Sequence, residues 1–229
     1  MDAVTAPAAV LSWSSGKDCA HALHVCRREG IADVRALLTT VNEEAGRVAM
    51  HGTRRALLDA QAAALGLPLI AVSLPWPCSN AEYESRMARA TADIAARGLT
   101  HIVFGDLFLE DIRAYREEKL AGSGLTPLFP LFGTPADTPR LAQEMMASGL
   151  RARIVTCNPE KLDPAFAGRT WDRALLDDLP AGVDPCGENG EFHTVVTDSP
   201  EFAAPIPHAR GETVMRDGFA YADVLLSDI

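Results

Sequence analysis

The sequence contains no apolar run near the roughly 18 residues that a membrane-crossing helix needs, and no internal repeat or low-complexity tract. Its first ten residues lack a basic stretch followed by an apolar one and a cleavage site, so no secretory leader is expected and the cytoplasm is the default location. Bases are in short supply: 21 Lys and Arg stand against 31 Asp and Glu, for a net charge of −10, and no more than two bases adjoin anywhere. A broad grip on nucleic-acid phosphates needs a basic face, so a tRNA-sized partner is disfavoured. One nucleotide asks for less, a single cation and a few backbone N–H groups. Cysteine is scarce too. The five, at 19, 26, 78, 157 and 186, never fall in Cys-x-x-Cys, which removes the usual zinc or iron–sulfur spacing and leaves free thiols as the expectation.

What is present describes a globular α/β protein. The chain has 229 residues, 48% hydrophobic and 23% charged, enough for one large or two small domains with a real core. Short apolar runs read as strands at Ala8–Trp13, Val34–Thr40, Leu69–Ser73 and His101–Gly105. Between them, helical spacing predicts helices from Asp18 to about Glu29, over Thr53–Leu65 and over Ala81–Arg97. This alternation implies βαβ units and a parallel sheet with helices on both faces, Rossmann-like and of the nucleotide-hydrolase kind. In such sheets ligands sit beyond the carboxyl ends of the strands, so the loops after Trp13, Thr40, Ser73 and Gly105 share one edge. From Leu125 to Gly133 two prolines and two aromatics read as a connector, and Trp76, between two prolines, as a packed loop anchor. A smaller α+β lobe is expected from there, with a helix at Thr138–Ser148 and strands at Arg153–Cys157, Thr194–Thr197, Glu212–Arg216 and Gly218–Leu226. Asp217-Gly218 is a hairpin signal between the last two strands. The expected division is 1–130 for the larger domain and 131–229 for the lobe.

The segment Ser14-Ser15-Gly16-Lys17-Asp18-Cys19 falls between the first strand and the first helix. Glycine there permits a tight turn, the helix N-terminus offers unpaired N–H groups and positive dipole, and Lys17 adds a mobile charge. A polar helix cap would use the same residues. The segment is neither a Walker A loop nor a dinucleotide fingerprint. It resembles the S-G-G-K-D-S loop of the ATP pyrophosphatases, the PP-loop or N-type family, whose loop holds the β- and γ-phosphates while ATP is split to AMP and pyrophosphate. Ser15 stands where that family has its first Gly, and Cys19 where it has the last Ser. A cysteine at a helix N-terminus is either a thiol of lowered pKa or a small residue packed behind the loop.

Three further segments narrow the resemblance: His51-Gly52-Thr53-Arg54; Phe104-Gly105-Asp106 with Leu107 to Arg113 behind it; and Asp184-Pro185-Cys186-Gly187-Glu188-Asn189-Gly190-Glu191-Phe192-His193-Thr194. With the loop, they are similar to the diphthine–ammonia ligase family, specifically its bacterial branch, over most of the chain from about Val10 to about Gly211. The eukaryotic and archaeal members amidate a carboxylate on the modified histidine of translation elongation factor 2, using ATP and ammonium. The resemblance therefore implies an ATP-dependent carboxylate–amine ligase that forms an acyl-adenylate, with Mg²⁺ as companion cation. Its acid is a small-molecule or protein carboxylate whose identity stays open, since bacteria make no diphthamide.

The residues can be assigned on that basis. Lys17, Glu188 and Glu191 are the candidate catalytic groups, the two glutamates able to coordinate Mg²⁺ or receive a proton from ammonium. Ser14, Ser15, Gly16, Lys17, Asp18 and Cys19 would hold the phosphates, with Thr39 and Thr40 bordering the adenine and His51, Arg54 and Gly105 nearby. Asp106, Gly187, Gly190 and His193 would face the acid, and Asp106 with Glu188 would ligate Mg²⁺. Glu110 and Arg113 read as an ion pair. Two other functions use the same scaffold: a tRNA sulfurtransferase, for which Cys157 and Cys186 would be the thiols, and an ATP or AMP sensor without turnover. A homodimer is compatible with the acidic composition.

Overall fold

The computed structural model describes residues 5–49 and 51–227. Its larger sheet is built from β1 (Ala8–Ser12), β2 (Asp33–Asn42), β3 (Arg47–Val48), β4 (Leu69–Leu74), β5 (His101–Val103) and β6 (Thr126–Leu128). The parallel strands lie in the order β4-β2-β1-β5-β6, and β3 pairs antiparallel with the end of β2. Strand order therefore reverses between β1 and β5, which leaves a crevice beyond their carboxyl ends.

The strands are apolar on both sides because both faces are covered. Ala9, Leu11 and Trp13 join one buried cluster with α1 (Lys17–Glu29) and α2 (Arg55–Leu65). Val10, Leu38 and Ile102 point the other way and pack under α3 (Asn80–Ala96) and α4 (Glu110–Leu120). The second sheet is antiparallel: β7 (Arg151–Cys157) pairs with β8 (Thr170–Trp171), β9 (Phe192–Asp198) and β11 (Phe219–Leu226), and β11 with β10 (His208–Arg216). Asp217 (φ 49°) and Gly218 (φ 82°) make the expected hairpin turn. With α5 (Thr138–Ala147) and the short α6 (Arg173–Asp178), this lobe shares the first cluster, so Leu11, Leu23, Met145, Ile154 and Val196 belong to one continuous core.

Gln61, wholly buried on α2, fastens the lobes together. Its Oε1 accepts from Trp13 Nε1 (2.9 Å), and its Nε2 donates to the carbonyls of Ser15 (3.1 Å) and Val196 (2.7 Å). Val196 N–H donates in turn to Ser15 O at 2.8 Å. Replacing Gln61 with Ala would strand a buried indole N–H and deprive two carbonyls of a donor. The expected loss is about 3 kcal/mol of unfolding free energy, read by urea denaturation.

Several local expectations are corrected. The connector Leu125–Gly133 contains β6, the fifth parallel strand. The second helix starts at Arg55 rather than Thr53: His51 to Arg54 form a turn after β3, with Gly52 at φ 68° and Arg54 as the N-cap of α2. Arg113 pairs with Glu117 at 2.9 Å rather than with Glu110. Trp76 is 63% exposed and anchors nothing.

Candidate active site

The turn after β1 is shaped by two contacts to other elements. Ser15 adopts φ 72°, the left-handed region that a glycine would enter without strain, and its hydroxyl donates to Thr53 Oγ1 at 2.8 Å. Gly16 caps α1 without a side-chain bond, and Lys17 N–H instead donates to Thr194 Oγ1 of β9 (3.1 Å). Among the described residues the amide of Cys19 has no protein acceptor and that of Asp18 meets only its own carboxylate, the condition in which a helix N-terminus takes an anion.

Gly105 lets β5 approach this turn. A Cβ there would stand 2.8 Å from Asp18 C and Cys19 N, both backbone atoms. Gly105→Ala must therefore push the start of α1 away from β5. It should lower stability by about 1–3 kcal/mol and weaken nucleotide binding, both measurable by ligand-dependent thermal shift.

Around the turn opens a cavity of about 700 Å³, within the usual range for a small-molecule site. Ser14, Lys17, Asp18, Cys19, Thr39 and Thr40 line it, as do His51, Gly105, Asp106, Gly187, Glu188 and His193. The other expected site residues stand behind the wall. Ser15 and Gly16 form the turn's backbone, and Arg54 is held by Asp223 of β11. Gly190 (φ 79°) shapes the turn before β9. Glu191 is buried, accepting from Asp184 N–H (3.1 Å) and Asn189 Nδ2 (3.2 Å), with Oε2 unpartnered among the described residues. Gly187 (φ 73°) is obligatory, since a Cβ there would lie 2.7 Å from Phe192 O.

Lys17 is 1% exposed and does not project freely toward a ligand. Its Nζ donates to Asp18 Oδ1 (2.8 Å) and to the carbonyl of Cys186. Burial alone would lower its pKa, but Asp18, the Cys186 thiol and Glu188 outweigh that and hold it above its ordinary value. Cys19 is no reactive thiol. It is 3% exposed, donates to Gly16 O (3.0 Å), and burial pushes it up to about 11, the packed alternative of the two readings. Glu188 accepts from Leu107 N–H at 2.8 Å. Burial, reinforced by Asp18 and Asp106, raises it to about 7.

Thr39 Oγ1 is buried on the cavity wall, without a partner among the described residues. Reading the sequence did not single out the roof, where Tyr83, Met87 and Thr91 of α3 face Tyr115, Arg116 and Lys119 of α4 across the cavity. Arg116 is bidentate on Asp106, with Nη2 to Oδ1 at 3.0 Å, and its guanidinium stacks on Phe104 at 4.3 Å. The helical spacing of 83, 87 and 91 and of 112, 116 and 119 was the available signal.

This crevice at the strand-order reversal, with its anion-ready turn and the acidic Gly-Glu segment opposite, is matched by comparison with known families. Diphthamide synthase N-terminal domain matches residues 7–126, and diphthamide synthase C-terminal domain matches residues 137–221. The chain belongs to the diphthamide synthase family. It is accordingly a PP-loop protein of the diphthine–ammonia ligase family and an ATP-utilising one. No curated protein matches it. Among the described residues no helix is long and apolar enough to cross a membrane.

The family implies Mg²⁺ beside ATP, and the donors suit that ion. Glu188 and Asp106 are hard oxygen donors on the cavity wall, and Glu188 is a carboxylate whose charge is left undercompensated by the protein. Among the described residues no three His, Cys, Asp or Glu side chains converge into a complete cage. A Mg²⁺ ion there would complete its shell with phosphate oxygens and water, its usual habit at nucleotide sites.

Proposed function

We propose that this protein is an ATP-dependent carboxylate–amine ligase that cleaves ATP to AMP and pyrophosphate by way of an acyl-adenylate. The observation that carries the reading is the juxtaposition of the β1–α1 turn with Glu188 across one cavity at the sheet's switch point. The amides of Asp18 and Cys19 and the hydroxyl of Ser14 bind phosphate oxygens, and the buried Lys17 adds positive charge beneath them. Glu188 and Asp106 would hold Mg²⁺, which would supply neutralisation of the triphosphate. Fixing the α-phosphate next to the acid lowers the barrier by proximity and by oriented charge. In the metal-free site burial raises Glu188 to about 7, so this carboxyl is suited either to ligate Mg²⁺ or to receive a proton from the incoming ammonium, not to both at once. The walls of Leu38, Ile102 and Phe104 keep water from the adenylate.

The sulfurtransferase alternative loses its chemistry. Cys157 and Cys186 are 0% and 2% exposed, and burial raises both thiols, Cys157 to about 12. The experiment is a screen of carboxylic acids with ATP, Mg²⁺ and ammonium, following pyrophosphate. Release that requires both the metal and one class of acid is expected. Stable ATP binding with no pyrophosphate from any acid would favour the sensor instead.

A further inference from the structure

His51 and His193 stand side by side on the cavity wall, with ring centroids 4.5 Å apart and planes inclined by 31°. They come from opposite lobes, His51 from the turn after β3 and His193 from β9. His51 also touches the phosphate turn: a Cβ on Gly16 would lie 3.1 Å from its Cε1. Its Nδ1 lies 3.2 Å from Thr194 O. A carbonyl only accepts, so the Nδ1 proton is fixed there and a neutral His51 carries its lone pair on Nε2.

That arrangement is wrong for a phosphate as it stands. A bare Nε2 meets an anionic oxygen as one acceptor facing another. The charged groups acting on the pair offer no remedy in the free protein. Lys17, from α1, is a cation acting on both rings, and His193 also bears on His51. Burial leads these effects and lowers His51 to about 3 and His193 to about 4, so both rings are neutral at ordinary pH. A polyphosphate in the turn reverses the balance by setting several negative charges against the same rings.

We propose that the stacked His51–His193 pair takes up one proton when a polyphosphate enters the turn, so that nucleotide binding here is coupled to protonation. The added proton sits on Nε2 of His51 or on the ring of His193, and turns an acceptor into a charged donor aimed at the phosphates. The pair thereby distinguishes a nucleoside triphosphate from its monophosphate, which brings too little charge to the turn to hold the proton. Release of pyrophosphate returns the pair to neutrality. This rests on the ATP reading above.

The test is NMR of the full-length protein carrying ¹⁵N-labelled histidine, at pH 6.5, with His51→Gln and His193→Gln to assign the ring signals. Without nucleotide both rings should be neutral. With saturating ATP one of the two should become charged, and with AMP neither should. Rings that stay neutral with ATP demonstrably bound overturn the proton coupling while leaving the ATP reading intact. Charging by AMP as well would overturn the polyphosphate selectivity. If ATP does not bind at all, shown by calorimetry on the same sample, the ATP reading fails and this proposal with it. Calorimetry in two buffers of different ionisation enthalpy supplies the second measure, with the wild type taking up about one more proton per ATP than the His51→Gln/His193→Gln double variant.

Discussion

Lys17→Ala should lose pyrophosphate release and also lower the melting temperature by on the order of 10 °C. The second effect follows from where the ammonium lies. A lysine at the mouth of a phosphate site would be expendable for folding, whereas this one is 1% exposed and paired with Asp18 beneath the turn. Removing the lysine leaves the Asp18 carboxylate, 27% exposed at its side chain, uncompensated, at a cost of up to about 3 kcal/mol once its solvent contact is allowed for. It also frees the Cys186 carbonyl, which accepts from the same ammonium. Lys17→Met keeps the aliphatic stem and isolates the charge. Paired with Asp18→Asn it removes both charges, and the double variant should regain most of the lost stability while remaining inactive. Thermal denaturation and a pyrophosphate assay on the four proteins separate the two roles. An inactive Lys17→Ala of unchanged melting temperature would mean that the lysine faces the ligand and not Asp18.

The strength of this coupling between fold and site explains which parts were readable from sequence. Strands β1, β2, β4 and β5 announce themselves because much of both their faces is buried, so each carries a short, largely apolar run between helices. Strand β6 does not: it has three residues and contains Pro127, which a sheet accepts only because β6 is its edge. Two-residue β3 is too short for any pattern. Within the site, the turn Ser14–Cys19 is legible from its place between strand and helix, and Gly187–Glu188 from the Gly-bearing acidic segment. Arg54 is a different case. Its partner Asp223 is distant in sequence, and nothing local says that the guanidinium is taken. Arg116 and Lys119 look like the solvated charges of an amphipathic helix, and only the gap under α3 and α4 makes them cavity residues. The position of Ser15 shows the limit from the other side: a left-handed residue cannot be inferred from a serine, since the sequence supplies the less suitable amino acid.

Glu188→Gln should make the metal-free protein more stable above pH 7 while ending catalysis. The carboxyl of Glu188 has an ordinary value of 4.5 and is raised to about 7, first by burial and then by the charges of Asp18 and Asp106. Between those two values the folded protein keeps a proton that the unfolded chain has released. Stability therefore falls as pH rises through that window, and the deficit is complete above pH 7 and absent below 4.5. Its size is about 3 kcal/mol. Glutamine does not titrate, and its amide oxygen can still accept from Leu107 N–H, so the variant should match the wild type near pH 4.5 and exceed it at pH 8. Mg²⁺ provides the second reading, since a cation beside the carboxylate offsets the penalty at pH 8 in the wild type and has nothing to offset in the variant. Pyrophosphate release should fall by about 10²-fold or more, the scale for losing a proton-transferring group. Urea denaturation at pH 4.5 and pH 8, with and without Mg²⁺, measures the first two effects. Parallel stability curves for the two proteins would show that no buried charge resides at Glu188, and full activity in the variant would remove that carboxylate from both the metal and the proton transfer.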